Sequence, residues 1–201
     1  DLENIPEIIA NKLLEFSNKG GSLVIIPNEN SNLNSYNSFF KKLNIGNLKN
    51  KIQDTLKITS INYEHPLFKN VFSKQVTNFQ YPKVFNYYPI LNTSRSKIVS
   101  FENNISFIEQ LNRKNSKVYW VASPLNRTNS NFINSPLIVP VFYNFAKLSF
   151  KYSELFYRIA NENKIDIETS LNKDEILKIT NDNLSFIPLQ QTHQQMVSIT
   201  T

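Results

Sequence analysis

The stretch Gly20-Gly21-Ser22-Leu23-Val24-Ile25-Ile26-Pro27 constrains the fold more than any other part of the chain. It follows a segment whose apolar residues Ile5, Ile9, Leu13 and Phe16 recur at helical spacing, with Pro6 tolerated in the first turn. Asn4 is the expected N-cap, with Glu7 three residues on completing a box-like signal. The paired glycines then stop the helix, because glycine enters the left-handed conformation at little steric cost. Residues 23–26 are continuously apolar, as in a strand covered on both faces, and Pro27 ends it. Helix, Gly-Gly and buried strand together predict one half of an α/β unit.

The rest of the chain extends this reading. Residues 28–33 form a polar loop at the strand's C-terminal end, where ligands usually bind in open α/β sheets. A second helix is expected from about Ser35 to Leu43, burying Tyr36, Phe39, Phe40 and Leu43, with Gly46 beyond its end. Residues 56–61 alternate as a strand, and His65-Pro66-Leu67-Phe68 is a tight aromatic-rich connector. Residues 81–91 read as an extended edge segment, bounded by Pro82 and Pro89. A hairpin is expected from residues 97–101 and 105–110, and Lys117-Val118-Tyr119-Trp120-Val121-Ala122 is the second core strand. Residues 123–134 are a polar loop, and 136–150 regain helical spacing despite Pro140. After about residue 155, short strand-like runs at 155–160, 165–168, 176–180, 184–187 and 196–199 suit the start of a β-sandwich. The predicted organisation is an α/β domain over residues 1–155 and a β-rich segment over 156–201.

Composition narrows the function classes. Hydrophobic residues make up 40% of the 201 residues, enough for a packed core. With no Cys, the chain has no disulfide, thiolate metal site or cysteine nucleophile. The net charge of +6 rests mostly on singly scattered Lys, with four Arg at 95, 113, 127 and 158, so it reads as a solvated surface and not as a nucleic-acid site. No window is apolar enough for a membrane span. Asp1 opens an acidic segment unlike a signal peptide, and the chain is expected to be a processed product or a piece of something longer.

Several residues are candidates for chemistry. Asn28, Glu29 and Asn30 stand at the edge of the first strand, where a carboxylate and amides suit a sugar or peptide; such residues also satisfy turn backbones. Arg127, in the loop after the second core strand, would share their crevice. Tyr88 is the candidate exposed ring for stacking on a sugar: Tyr87 and Tyr88 are consecutive and would face opposite sides. Tyr81, Phe85 and Trp120 are weaker candidates for the same platform, Trp120 reading as core. His65, beside Glu64, is either a general base or a turn residue, and His193 reads as exposed. The acidic residues Glu162, Asp166, Glu168, Asp174 and Glu175 lack the pattern of a calcium loop. No catalytic constellation, metal site or cofactor motif is legible.

The helix, Gly-Gly and strand segment resembles that of class I glutamine-amidotransferase-like, flavodoxin-like domains. It is more specifically similar to the envelope-exposed region of bacterial BatA-type (aerotolerance-regulator N-terminal domain) membrane proteins. Further matching pieces are His65-Pro66-Leu67-Phe68 with Val71-Phe72, Tyr119-Trp120-Val121-Ala122-Ser123-Pro124-Leu125, Ser130-Asn131-Phe132, Pro140 in an aromatic helix, and Phe186-Ile187-Pro188-Leu189-Gln190. The resemblance implies a mixed sheet with helices on both faces, a periplasm-facing location and anchoring through membrane segments outside this sequence. Catalytic amidotransferases use a Cys nucleophile, whereas Pro27-Asn28-Glu29 follows the strand here, so the fold is implied without that activity. The expected function is a non-catalytic scaffold or interaction module whose open sheet edges are covered by a protein partner or by the rest of its own chain. Alternatives are an envelope glycan or peptide hydrolase using Glu29 or His65, and a sugar or small-molecule sensor.

Overall fold

The computed structural model describes residues 2–68, 71–72, 80–91, 95–113, 116–150, 162–167, 169, 171–172, 175–181, 184–193 and 196–200. It divides into two compact units, Asp1–Phe150 and Lys151–Thr201. The first is a mixed α/β unit, with elements in the order α1 (Glu7–Asn18), β1 (Leu23–Ile25), α2 (Leu33–Leu43), β2 (Asn47–Leu48), β3 (Ile52–Ile61), β4 (Lys83–Tyr87), β5 (Ile90–Leu91), β6 (Arg95–Phe101), β7 (Ser106–Asn112), β8 (Lys117–Val121) and α3 (Ile138–Ser149). Six strands form one sheet in the order β1-β8-β7-β6-β3-β4, and β2 pairs with β5 separately. Only β1 and β8 run parallel, with Leu23 beside Val118, Val24 beside Tyr119 and Ile25 beside Trp120. The other four neighbouring pairs are antiparallel.

Alternation along β8 places helices on both faces of the sheet. Trp120 meets Phe40 of α2 edge-on with ring centroids 5.5 Å apart, while the next-door Tyr119 meets Phe145 of α3 at 4.5 Å. Successive strand side chains point to opposite faces, so α2 and α3 lie on opposite sides. Both rings are almost fully buried, in agreement with the reading of Trp120 as core. A chain of aromatic contacts, Tyr87–Phe101–Phe107–Phe132, extends the core across the antiparallel strands.

The helix ends follow local chemistry. Gly20 adopts φ 88° after α1. Its N–H donates to the Ser17 carbonyl and that of Gly21 to the Phe16 carbonyl, each at 2.9 Å, which is the Schellman arrangement. Asn32 caps α2, its side chain accepting from the Ser35 N–H at 3.1 Å, and α2 buries Tyr36, Phe39, Phe40 and Leu43 as expected. Pro140 falls in the first turn of α3, where a missing N–H leaves no helical bond unmade.

Two expectations for the N-terminal segment are corrected. Pro6, not Asn4, occupies the N-cap position of α1 and makes no side-chain capping bond, because the extended Pro6 delays the first helical turn to Glu7. The buried side of α1 runs through Ala10, Leu13, Leu14 and Ser17, leaving Ile9 and Phe16 exposed. Small Ala10 and Ser17 allow close approach, and the Ser17 hydroxyl lies 2.6 Å from that of Ser116. β1 also departs from the strand expected to be covered on both faces: it is an edge strand, and Val24 is 37% exposed.

The sheet's two edges differ. β4 is shielded by the loop after β8: Val84 forms an antiparallel bridge with Ser130. The Phe85 N–H donates to the Asn129 carbonyl at 2.8 Å, and the Asn131 N–H to that of Lys83 at 3.0 Å. Among the described residues nothing comparable lies along β1.

The second unit contains β9 (Lys164–Ile167), β10 (Ile179–Asn181), β11 (Leu184–Phe186), β12 (Leu189–His193) and β13 (Met196–Thr200). A three-stranded antiparallel sheet has the order β12-β13-β9, and β10 and β11 pair antiparallel with each other. Val197 and Ile199 of the central strand are buried. The Gln190 side chain clasps the backbone of Leu177, accepting from its N–H at 2.9 Å and donating to its carbonyl at 3.1 Å. β12 was not foreseen, since Leu189-Gln190-Gln191-Thr192-His193 has a single aliphatic residue. The strand expected at 155–160 lies outside the described residues. Among the described residues no helix is long and apolar enough to cross a membrane.

Candidate functional site

The loops following β1 and β8 come together at the C-terminal ends of the parallel strands, and Tyr88 ties them. Its hydroxyl donates to the Glu29 carbonyl at 2.8 Å and accepts from the Ser31 N–H at 3.2 Å. Its backbone accepts from the Trp120 indole at 3.2 Å and donates to the Ala122 carbonyl at 2.7 Å. Tyr88 is 3% exposed, and burial pushes its phenol pKa up. This corrects the expected exposed stacking ring: neighbouring Tyr87 is buried as well, packed on Phe101 at 5.0 Å, while the Tyr88 hydroxyl is bonded into the loop after β1. Tyr88 is a structural tie between the loops, and both its polar ends are occupied.

The polar residues beside it are also partly committed. The Asn28 side chain accepts from the Asn30 N–H at 2.7 Å in an Asx turn, and the Ser31 hydroxyl donates to the Asn28 carbonyl at 3.0 Å. Lys51 reaches the Glu29 carbonyl at 3.1 Å. The Glu29 and Asn30 side chains are exposed, as is Arg127 on the opposing loop. Among the described residues no hydrogen bond or ion pair joins Glu29 to Arg127.

His65 lies elsewhere. Its buried ring accepts at Nδ1 from the Leu67 N–H at 3.1 Å, which caps the short 3₁₀ turn Pro66–Phe68. Desolvation first, then the nearby Lys117 cation, lower its pKa to about 4, with Gln110 opposing the shift. Lys117 begins β8, whereas the Glu29 loop is tied to Trp120 and Ala122 at its end. The structure therefore does not bring His65 and Glu29 into one acid–base pair, and Glu64 is exposed while the His65 ring is buried. Of the acidic residues near the C-terminus, Asp166 accepts from Ser198 at 2.5 Å and Glu175 holds the Asn172 N–H at 2.9 Å. Glu168 and Asp174 lie outside the described residues. Among the described residues no three His, Asp or Glu side chains converge as metal ligands do.

One polar cluster was missed from the sequence. Glu109, in the second half of the predicted hairpin, is 1% exposed, and its Oε2 lies 3.4 Å from Arg95 Nη1. Desolvation raises its pKa, opposed chiefly by Arg95. Arg95 also donates to the Ile90 carbonyl at 3.2 Å, joining the sheet to β5. A Glu in an alternating strand reads as a solvent position. Only the register, with Lys97 on one side and Trp120 on the other, reveals that it faces inward.

No protein-family model matches the chain, and no curated protein does. Among solved structures the chain is similar to the cytoplasmic protein STM3548 from Salmonella typhimurium, with 15% sequence identity and a TM-score of 0.53. The match covers 72% of this chain and 61% of that one, so this chain spans less than two thirds of the neighbour's length. At this identity the likeness concerns the fold alone, and it agrees with the mixed α/β class.

Proposed function

We propose that the chain is a non-catalytic interaction module, built on a flavodoxin-like, amidotransferase-like sheet, in the envelope-exposed part of a membrane-anchored bacterial protein of BatA type. The observation that carries the interaction reading is the contrast between the two sheet edges: β4 is shielded by residues 129–131, while nothing among the described residues lies along the apolar β1. An open edge is a template for another strand, and natural sheets normally blunt it. The internal commitment of Tyr88 and Asn28 supports a scaffold role over a sugar site, and the separation of His65 from Glu29 counts against the hydrolase. The finer fold assignment draws on the parallel β1–β8 pair, the helices on both faces and the Gly-Gly entry to β1. The envelope location rests on the resemblance carried by the motifs in their order along the chain.

Single cysteines placed in the full gene product test both parts. Glu29→Cys is expected to react with a membrane-impermeant maleimide in intact cells, whereas reaction only after lysis contradicts the location. Val24→Cys is expected to react more slowly in cells than Glu29→Cys, and to lose that shielding in the dilute purified chain. Unshielded Val24→Cys in cells contradicts a covered edge.

A further inference from the structure

The His65 ring can keep its buried place only while it is neutral. Its Nδ1 accepts from the Leu67 N–H at 3.1 Å, so the proton of the neutral imidazole sits on Nε2, and Nδ1 is the atom a second proton must take. Proton and bond exclude each other, because an Nδ1–H facing the Leu67 N–H sets two donors against one another. The bond that would be lost holds the 3₁₀ turn Pro66–Phe68, which packs on α3 and whose Leu67 and Phe68 are buried.

The surroundings offer a charged ring no compensation. β8 sets the Lys117 cation near it, and Lys117 is itself tied to the end of α3 through the Leu148 carbonyl at 3.2 Å. β7 supplies the neutral amide of Gln110. The buried carboxylate of Glu109 is the next residue, but it pairs with Trp120 while Gln110 pairs with Tyr119, so it points to the other face of the sheet. The ionisable groups of α3, Tyr143 and Lys147, are exposed, as is Glu64 beside the ring. On β6, Arg95 is engaged by Glu109 and Lys97 by Asn104.

We propose that the turn 62–68 is an acid-released latch on α3: a proton on His65 frees the turn, which bares Leu67, Phe68 and the side of α3 beneath them while the sheet stays folded. The turn is able to leave as a piece. Its internal bonds are local, from the His65 N–H to the Asn62 carbonyl at 3.1 Å and from the Phe68 N–H to the His65 carbonyl at 2.8 Å. Its base stays anchored to β6, where Asn62 donates to the Ile98 carbonyl at 2.9 Å and, from its side chain, to that of Lys97 at 3.1 Å. The contact of Trp120 with Phe40 lies on the opposite face and takes no part. With a ring pKa of about 4 in place and about 6.5 once released, the open turn is favoured about 50-fold more at pH 4.5 than at pH 7. This goes beyond the interaction-module reading and does not depend on it.

The chain has no Cys and one Trp, so local release and loss of the sheet can be read separately. Single cysteines at Leu67, at Leu43 on the buried side of α2 and at the exposed Ile8 are labelled with a pyridyl disulfide, which reacts with thiols in mild acid. Relative to Ile8→Cys, labelling of Leu67→Cys is expected to rise about 50-fold from pH 7 to pH 4.5, with Trp120 fluorescence unchanged. At the lower pH it should run at least about tenfold ahead of Leu43→Cys. In the His65→Asn background, where an amide oxygen receives the Leu67 N–H at either pH, the rise should vanish. The chain without added cysteines gives a second readout: its binding of the apolar dye ANS should increase over the same range, and that of His65→Asn should not. Labelling that ignores pH overturns the latch, as does a rise that persists with His65→Asn or appears equally at Leu43→Cys. If Leu67→Cys does not fold, equal dye binding by the two cysteine-free chains overturns it.

Discussion

Replacing Arg95 by Met is expected to lower folding stability at neutral pH by about 3 kcal/mol, with the double variant Arg95→Met, Glu109→Leu recovering most of the loss. The reason is that Glu109 is buried while its partner Arg95 reaches it from an exposed position. Removing both charges also removes the desolvation penalty of the carboxylate, whereas removing Arg95 alone strands that carboxylate in a low-dielectric interior. Glu109 faces Trp120 across β7 and β8, and the Arg95 guanidinium lies 3.4 Å away. Lys97, opposite Glu109 in β6, is held by Asn104 through two bonds of 2.6 and 3.0 Å, so it compensates only in part. Burial raises the Glu109 pKa, so its contribution to stability is full below the ordinary carboxylate value and declines as pH rises through the raised one. The Arg95→Met deficit should accordingly grow with pH. Urea unfolding of the four proteins of this cycle checks the expectation, and a single variant within 1 kcal/mol of the unsubstituted protein contradicts it.

The second large effect belongs to His65. Its pKa is lowered to about 4 by burial and by Lys117, while in the unfolded chain it returns to about 6.5. The unfolded state therefore binds the extra proton first on acidification. The stability that depends on a neutral His65 is complete above about pH 6.5 and drains away as pH falls toward 4, amounting to about 3 kcal/mol across that window. His65→Asn supplies an oxygen for the Leu67 N–H in place of Nδ1 but does not titrate. Its unfolding midpoint, relative to the unsubstituted protein, is expected to fall behind at pH 7 and draw level or ahead at pH 4.5. Parallel pH profiles for the two proteins would refute the linkage.

These two groups illustrate what local pattern reveals and what it hides. α2 was legible down to its four buried residues because helical spacing lies within the segment, although neither its cap Asn32 nor its left-handed exit Asn44 was singled out. The β6–β7 hairpin and β8 were legible for the same reason, since alternation and a turn suffice to define them. The buried side of α1 was not, because small Ala10 and Ser17 meet neighbours that no spacing rule names. The position of β1 at an edge, the burial of Tyr88 and the inward aim of Glu109 each depend on partners far along the chain. Glu29, Asn30 and Arg127 were placed correctly on exposed loops, but the residue that joins those loops was read as a solvent-facing ring.

The unequal edges of the sheet are the centre of the account, and amide hydrogen exchange followed by mass spectrometry compares them directly. In dilute protein the peptide carrying Leu23–Ile25 should exchange faster than that carrying Lys83–Tyr87. Equal protection of the two peptides in dilute protein would contradict an open β1 edge.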